Sequence, residues 1–341
     1  MAKLIIQIPC YNEEETLPQT VRDLPRDLPG VDRVEILVID DGSTDGTVAT
    51  ARALGVDHIL PLGVNRGLAR AFSAGLDYAV RHGADIIVNT DGDNQYCGSD
   101  VARLVEPVLA GQADIVIGAR TIEEIEDFSF AKKRLQRLGS RVVSALASVR
   151  VPDATSGFRA MSREAASRLL VTTPFTYTLD TLFQAPAKGL LVRSVPVGTN
   201  PMTRPSRLFR NIPVYLWRSL DTIFRVFTVY KPILFFSLLG TLIFLPGFVL
   251  GLRFLYFALH GDSDGHVQSL ILAAVLLIAG FQVYLTGILA HLSTTNRKIM
   301  EEMLYQLRRH SSAAGDAGAA TPPGDRSPAG PAAARGADPR P

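Results

Sequence analysis

Cysteine is scarce in this 341-residue chain: there are two, Cys10 and Cys97, far apart in sequence. That excludes a disulfide scaffold and the paired-cysteine zinc spacings, and it suits a reducing compartment. Cys10 ends an apolar run and reads as packing rather than chemistry. An excess of one charge is also missing. The formal net charge is +2, so there is no basic signature for nucleic acid. The opening residues, "MAKLIIQIPCYNEEE", lack the apolar length and the cleavage site of a signal peptide. The N-terminal domain is therefore expected in the cytoplasm. Two common phosphate-binding patterns are absent as well. A nicotinamide-type fold needs G-x-G-x-x-G after its first strand, where this chain has "PCYNEEE", and there is no P-loop lysine motif. A calcium loop fails too. From Asp41 the twelfth position is Arg52, and from Asp91 it is Ala102, where the loop needs Glu.

What is present falls into two halves. Up to about residue 200, short apolar runs rich in β-branched residues (3–9, 35–40, 57–62, 84–90 and 113–119) alternate with helical patterns. Strands alternating with helices imply βαβ units and a parallel sheet covered on both faces. The pattern "RGLARAFSAGLDYAVRHG" suggests a helix capped by Asn65 and stopped by Gly83. Ligands of such sheets bind beyond the carboxyl ends of the strands.

The second half is apolar, and the mean hydropathy of +0.18 is high for a soluble protein. Residues 232–259 and 267–292 each exceed the roughly 20 residues that span a bilayer. Arginines and lysines flank both runs on one side, and the connector "HGDSDGH" has none. The positive-inside rule then puts both flanks in the cytoplasm. The expected layout is a catalytic domain (1–205), interfacial amphipathic helices (206–230), a two-helix transmembrane hairpin (231–293), a cytoplasmic helix (294–310) and a disordered Ala/Pro/Gly tail (311–341). Localisation is expected at the cytoplasmic membrane, with both termini inside. Residues 128–149 form a second amphipathic segment, either packed on the sheet or lying among headgroups.

Acids cluster at three strand ends: Glu13 after the first, Asp40 and Asp41 after the second, Asp91 and Asp93 after the fourth. Carboxylates brought together repel unless a cation or donors hold them. Asp91 and Asp93, in the glycine-containing turn "NTDGDNQY", suit a hard divalent ion that also takes phosphate oxygens. Asp45 reads as a local turn and Asp100 as a helix cap. His58 and His82 read as surface or capping residues, and Trp217 and Tyr230 as membrane-interface aromatics.

The stretches "IPCYNEEETL", "VIDDGSTDGT", "NRGLARAFSAGL", "NTDGDNQY", "IGAR" and "DATSGFRAMSR" occur in this order. The chain thereby resembles the inverting GT-A glycosyltransferases of family 2, and among them the polyprenyl-phosphate glycosyltransferases. The dolichyl-phosphate mannose synthases and bactoprenol glucosyltransferases are the best-known of these. Asn94 stands where familiar members carry leucine. The resemblance implies an α/β, Rossmann-like GT-A domain, a nucleotide-diphosphate sugar donor of the GDP-mannose or UDP-glucose type, and Mg²⁺ or Mn²⁺. The acceptor would be polyprenyl phosphate in a lipid membrane. It places Pro9, Tyr11, Asn12, Glu13, Asp40, Asp41, Asp91 and Gly92 around the nucleotide. Asp91, Asp93 and Gln95 would surround the metal, and Arg204 and Arg207 would close on the diphosphate. Arg120, Lys133, Arg137 and Ser140 would meet the lipid phosphate. Asp153 would position a sugar or simply cap its loop. Asp180 would act as a base, contact a sugar hydroxyl or serve as a helical surface residue. Two rival expectations stay open: transfer to a sugar hydroxyl, and a non-enzymatic membrane scaffold. The Q-x-x-R-W motif of processive synthases is absent. Oligomeric state stays open, because the spacing of Gly240, Gly247 and Gly251 is too common to weigh.

Overall fold

The computed structural model describes residues 2–120, 139–141, 143, 144, 147, 149, 151–171, 177–201, 224, 228, 230–260 and 267–319. Lys133, Arg137, Arg204 and Arg207 lie outside the described residues. So do the connector 261–266 and most of both amphipathic segments.

Seven strands form one sheet: β1 (Lys3–Cys10), β2 (Arg33–Asp40), β3 (His58–Pro61), β4 (Ile86–Asn89), β5 (Ile115–Arg120), β6 (Arg159–Ser162) and β7 (Val192–Val197). Their order is β3-β2-β1-β4-β6-β5-β7. The expected purely parallel sheet is corrected at one strand. β6 runs antiparallel between β4 and β5, while the other pairings are parallel. Four residues headed by an arginine carry no strand signature, so neither β6 nor its direction was legible.

Side chains alternate between the two faces, as the pleat requires. Ile5, Leu37, Ile39 and Ile87 pack beneath helices α3 (Leu68–Arg81), α5 (Arg163–Arg168) and α6 (Tyr177–Ala187). Leu4, Ile6, Ile8, Ile36 and Val38 form the opposite cluster, with α1 (Leu17–Asp23), α2 (Thr47–Ala53) and α4 (Val101–Leu109). Burial of these apolar residues on both faces, at about 25 cal/mol per Å², holds the layers together.

Helix α3 ends as expected, with Gly83 at φ +77° after the His82 cap. Its start differs. Gly67 is the N-cap residue, and the cap comes from another loop: Asp41 accepts hydrogen bonds from the Arg66 and Gly67 amides, each at 2.8 Å. A carboxylate reaching across from the end of β2 displaced the local Asn65 solution.

Two long apolar helices follow, α7 (Pro232–Leu259) and α8 (Val267–Ala319). Stretches of 28 and 37 residues, with mean hydropathy 2.4 and 2.2, are long and apolar enough to cross a membrane. They pack through small residues. A Cβ on Gly247 would lie 2.7 Å from Leu276, and one on Gly280 would lie 2.8 Å from Phe244. The glycine spacing therefore serves the hairpin itself. Helix α8 continues into the segment expected to be disordered. On the way it meets the sheet domain, where the Tyr305 hydroxyl donates to Glu164 on α5 at 3.0 Å and Glu301 pairs with Lys188 at 3.1 Å.

Candidate active site

The order β2-β1-β4 brings together the three acid-bearing loops. Their joints are hydrogen bonds between loops rather than within them. The Asn12 amide donates to Ser43 Oγ at 3.0 Å, and Asn12 Oδ1 accepts from the Thr44 amide at 2.8 Å. Thr16 Oγ1 donates to Glu13 Oε2 at 2.7 Å and also contacts the Gly92 carbonyl at 2.8 Å. Glu13 and the Asp91 loop are thus fastened together. Asn12 and Asn94 both adopt left-handed backbone, at φ 53° and 56°. Asparagine tolerates that region and leucine does not, which is a local reason for asparagine at position 94.

At the end of β4, Asp91 and Asp93 face one another's charge. Burial, then Asp93, pushes the Asp91 carboxyl up to about 7, against the pull of Arg120. Among the described residues no hydrogen bond or ion pair reaches Asp91. Asp93 Oδ1 accepts from the Gln95 amide at 3.2 Å, an Asx-type turn that orients the pair. A donor-free carboxyl held beside a second one suits a divalent cation that takes the place of its proton. Among the described residues no three His, Cys, Asp or Glu side chains gather to hold a metal alone. The pair would therefore need further oxygens from a ligand such as a diphosphate.

Behind Asp91 stands a buried polar relay that the sequence did not announce. Gln7 and Asn89 are paired in register on β1 and β4, both fully buried. Gln7 Nε2 donates to Asn89 Oδ1 at 2.9 Å. Asn89 Nδ2 donates to the Gly157 carbonyl at 2.8 Å and to the Tyr177 hydroxyl at 3.2 Å. Tyr177 stacks on Phe72 with centroids 4.0 Å apart. A Cβ on Gly157 would lie 2.6 Å from the Tyr177 hydroxyl and 2.9 Å from Asp91 Oδ1. Glycine is the residue that lets this loop close on Asp91.

Arg120, at the end of β5, donates to both oxygens of Asp153, at 2.7 and 3.2 Å, and to Gln95 Oε1 and Thr155 Oγ1, each at 3.1 Å. Its guanidinium lies 5.8 Å from the Tyr96 ring centre. Burial alone would raise the Asp153 pKa; the Arg120 charge and hydrogen bonds from Arg120 and Thr155 outweigh it and hold the carboxyl low. The structure thus joins Gln95, Arg120 and Asp153, residues to which the sequence gave three different roles. Here they form one lock on the "DATSGF" loop. Arg159 completes it from below. The side chain is fully buried, and it donates to the Ala154, Ser156 and Thr178 carbonyls and to Thr181 Oγ1. Burial lowers its pKa to about 10.

The remaining candidates separate. Tyr11 is 41% exposed at the loop after β1, where a base could stack. Asp40 accepts from the Ser43 amide at 3.0 Å. Both Asp41 oxygens accept from amides just ahead of α3, those of Arg66 and Gly67. Pro9 closes β1 opposite Ile39. Ser140 is buried and accepts from the Ala154 amide at 3.4 Å. Asp180 is 2% exposed and accepts from the Tyr230 hydroxyl. Asp45 makes the expected turn, accepting from the Thr47 amide at 3.0 Å. Asp100 sits at the helix start, but its Oδ2 accepts from Gly198 at 2.7 Å, so it ties β7 to α4. Cys10 is buried and its thiol pKa is raised by burial, then by Glu13.

The sequence profile described as glycosyl transferase family 2 matches residues 5–170. Polyprenol monophosphomannose synthase of Mycolicibacterium smegmatis is 30% identical over 206 residues, covering 57% of this chain and 76% of that protein. The chain belongs to glycosyltransferase family 2. This transferase is also 26% identical, over 299 residues, to undecaprenyl-phosphate 4-deoxy-4-formamido-L-arabinose transferase of Sodalis glossinidius. That match covers 84% of this chain and 87% of the other, more than the residues ahead of α7 can supply. Among solved structures, glucosyl-3-phosphoglycerate synthase of Mycobacterium tuberculosis, in complex with Mn²⁺, UDP and phosphoglyceric acid, shares the fold. Its TM-score is 0.51 at 22% identity, over 67% of this chain and 78% of that one.

Proposed function

We propose that this glycosyltransferase moves one hexose from a nucleoside-diphosphate sugar to a polyprenyl phosphate at the cytoplasmic membrane surface. The observation that carries this reading is the α7–α8 hairpin on a family 2 catalytic domain. An acceptor dissolved in water needs no anchor, whereas a lipid phosphate is presented at the bilayer. Relatives named for polyprenol and undecaprenyl phosphate support the same acceptor class.

The chemistry follows from the residues. Tyr11, Asn12, Glu13 and Asp40 would line the nucleotide pocket. Asp91 and Asp93 would hold Mg²⁺ or Mn²⁺ against the diphosphate, and such an ion supplies neutralisation of charge on the leaving group. Arg204 and Arg207 would add fixed positive charge to the same group. A phosphate monoester is anionic at neutral pH and needs no base. Its oxygen attacks the anomeric carbon as the bond to the nucleoside diphosphate breaks, which inverts that centre. Lys133 and Arg137 would offset repulsion between the acceptor and donor phosphates. A hydroxyl acceptor would need a general base. Asp180, buried against Tyr230, is poorly placed for that role, and this favours the phosphate acceptor.

The test is a donor screen with purified full chain, undecaprenyl phosphate in nanodiscs, and Mg²⁺ or Mn²⁺. A mild-acid-labile sugar on lipid phosphate is the expected product. Elongation of an oligosaccharide, with nothing on the lipid, would overturn the reading.

A further inference from the structure

Where α8 meets the catalytic domain, the structure holds a cavity of about 560 Å³, lined by none of the described residues proposed for the transfer reaction. Its walls carry five basic side chains, Arg168, Lys188, Lys231, Arg297 and Lys298, against two acidic ones, Glu301 and Glu302. Internal pairing consumes part of this charge. Glu301 pairs with Lys188 at 3.1 Å and Arg297 at 3.5 Å, and Arg168 pairs with Glu164 on its own helix. Lys231 and Lys298 have no ion-pair partner among the described residues. Arg297 also lies over the Tyr230 ring at 5.3 Å, which fixes that wall.

The position of the two lysines gives the cavity its meaning. Lys231 directly precedes α7, and Lys298 follows the last apolar turns of α8. Both therefore stand at the same end of the hairpin. From there the apolar faces of α7 and α8 run outward, with Leu234, Leu238, Ile288 and Leu292 exposed. An occupant with an anionic head and long apolar chains would satisfy both features. A free phosphate would leave the apolar faces uncovered. Cationic side chains at a membrane boundary attract acidic headgroups strongly.

We propose that this cavity binds the phosphodiester headgroup of an anionic phospholipid, whose acyl chains lie along the α7–α8 hairpin. Among the described residues, neither Arg120 nor Ser140, proposed for the acceptor phosphate, lines this site. It shares α6 with the candidate active site: Tyr177 at the start of that helix takes a hydrogen bond from Asn89, two residues before Asp91, and Gln184 and Ala187 near its end line the cavity. The Asp180–Tyr230 hydrogen bond lies between the two. A headgroup seated here would fix the angle at which the catalytic domain meets the bilayer. The proposal rests on the reading of α7 and α8 as membrane spans, not on the identity of the sugar or acceptor.

The full chain would be placed in nanodiscs of phosphatidylcholine with or without phosphatidylglycerol, and lipids retained after gentle extraction counted by native mass spectrometry. One retained phosphatidylglycerol per chain is expected, undisplaced by millimolar glycerol 3-phosphate. Lys231→Gln and Lys298→Gln should each weaken retention about fivefold. Ala187→Trp alters an exposed cavity wall, keeps every charge, and should abolish retention. If Ala187→Trp still retains the lipid, or phosphatidylcholine is held equally well, the cavity is not a headgroup site. Competition by glycerol 3-phosphate would also overturn the lipid assignment. Failure of the chain to enter nanodiscs would overturn the membrane reading itself and this proposal with it. Retention without detectable polyprenyl-phosphate product would sustain the site while sinking the acceptor assignment.

Discussion

Arg120 grips both carboxylate oxygens of Asp153 in a pair whose side chains are 9% and 0% exposed. Such a pair stabilises little relative to apolar packing, but breaking it strands a buried charge at about 3–5 kcal/mol. Arg120→Ala should therefore lower the urea midpoint more than Arg120→Ala with Asp153→Ala together. Equal loss in both variants would show that the pair is not coupled. The pH dependence has a definite sign. The folded Asp153 pKa is depressed, so its contribution is present above the ordinary carboxylate range and is lost as pH falls through the lower, folded value. Wild type should resist acid to a lower pH than it would with an unpaired carboxyl, and Asp153→Asn should remove that step from the acid unfolding curve.

Asp91 has the opposite shift. Its folded pKa, about 7, lies above the ordinary value, so the folded state keeps a proton that the unfolded chain gives up. Metal-free protein should lose stability as pH rises from about 4 towards 7. A divalent ion competes with that proton, so its apparent affinity should fall by roughly tenfold per unit below pH 7. Titrating Mn²⁺ by calorimetry at pH 5.5 and 8 measures this directly. Identical affinities at both pH values would rule out Asp91 as a ligand. Asp91→Asn should flatten the pH dependence.

How far the sequence reached is clearest at these two sites. The carboxylates at the ends of β1, β2 and β4 were legible because each follows an apolar run that could only be a strand. Their supports were not. Gln7 sits within such a run, and its partner Asn89 lies 82 positions away. The resemblance puts Arg120 at the lipid phosphate, and nothing local predicts that Asp153, on a distant loop, takes two of its hydrogen bonds. The targets of Asp41, the Arg66 and Gly67 amides just ahead of α3, are 25 and 26 residues on. Sequence exposes the residue types and their strand ends. Hydrogen-bond partners across the sheet are set by tertiary packing and leave no local trace.

Gly157 tests how tightly the site is built. Ala at this position would drive a Cβ to 2.6 Å from the Tyr177 hydroxyl and 2.9 Å from Asp91. Tyr177 cannot swing away, because its ring is stacked on Phe72 and its hydroxyl takes a hydrogen bond from Asn89. Overpacking of this kind costs about 1–3 kcal/mol. Gly157→Ala should lower kcat at least about tenfold if the strain moves Asp91, with a Tm change of only a few degrees. Unchanged kcat with normal Tm would mean the loop accommodates the methyl group and does not hold Asp91 in place.

Arg159 is a fully buried cation whose four hydrogen-bond partners among the described residues are neutral: three carbonyls and one hydroxyl. Among the described residues no carboxylate hydrogen-bonds it, so its charge acts at longer range, and it helps oppose the rise in the Asp91 pKa. The side chain also bridges the loop carrying Asp153 to α6. Two effects can therefore be separated. Arg159→Lys keeps the charge and loses most of the fork geometry. Arg159→Met keeps the length and loses both. If Arg159 positions the loop, both variants should lose kcat by similar factors. If its field matters as well, Arg159→Met alone should shift the pH at which Mn²⁺ binding is half-lost upward, because Asp91 would titrate higher. A midpoint unmoved in Arg159→Met would leave Arg159 a purely geometric support. Either outcome is read from the same calorimetric titration that tests Asp91.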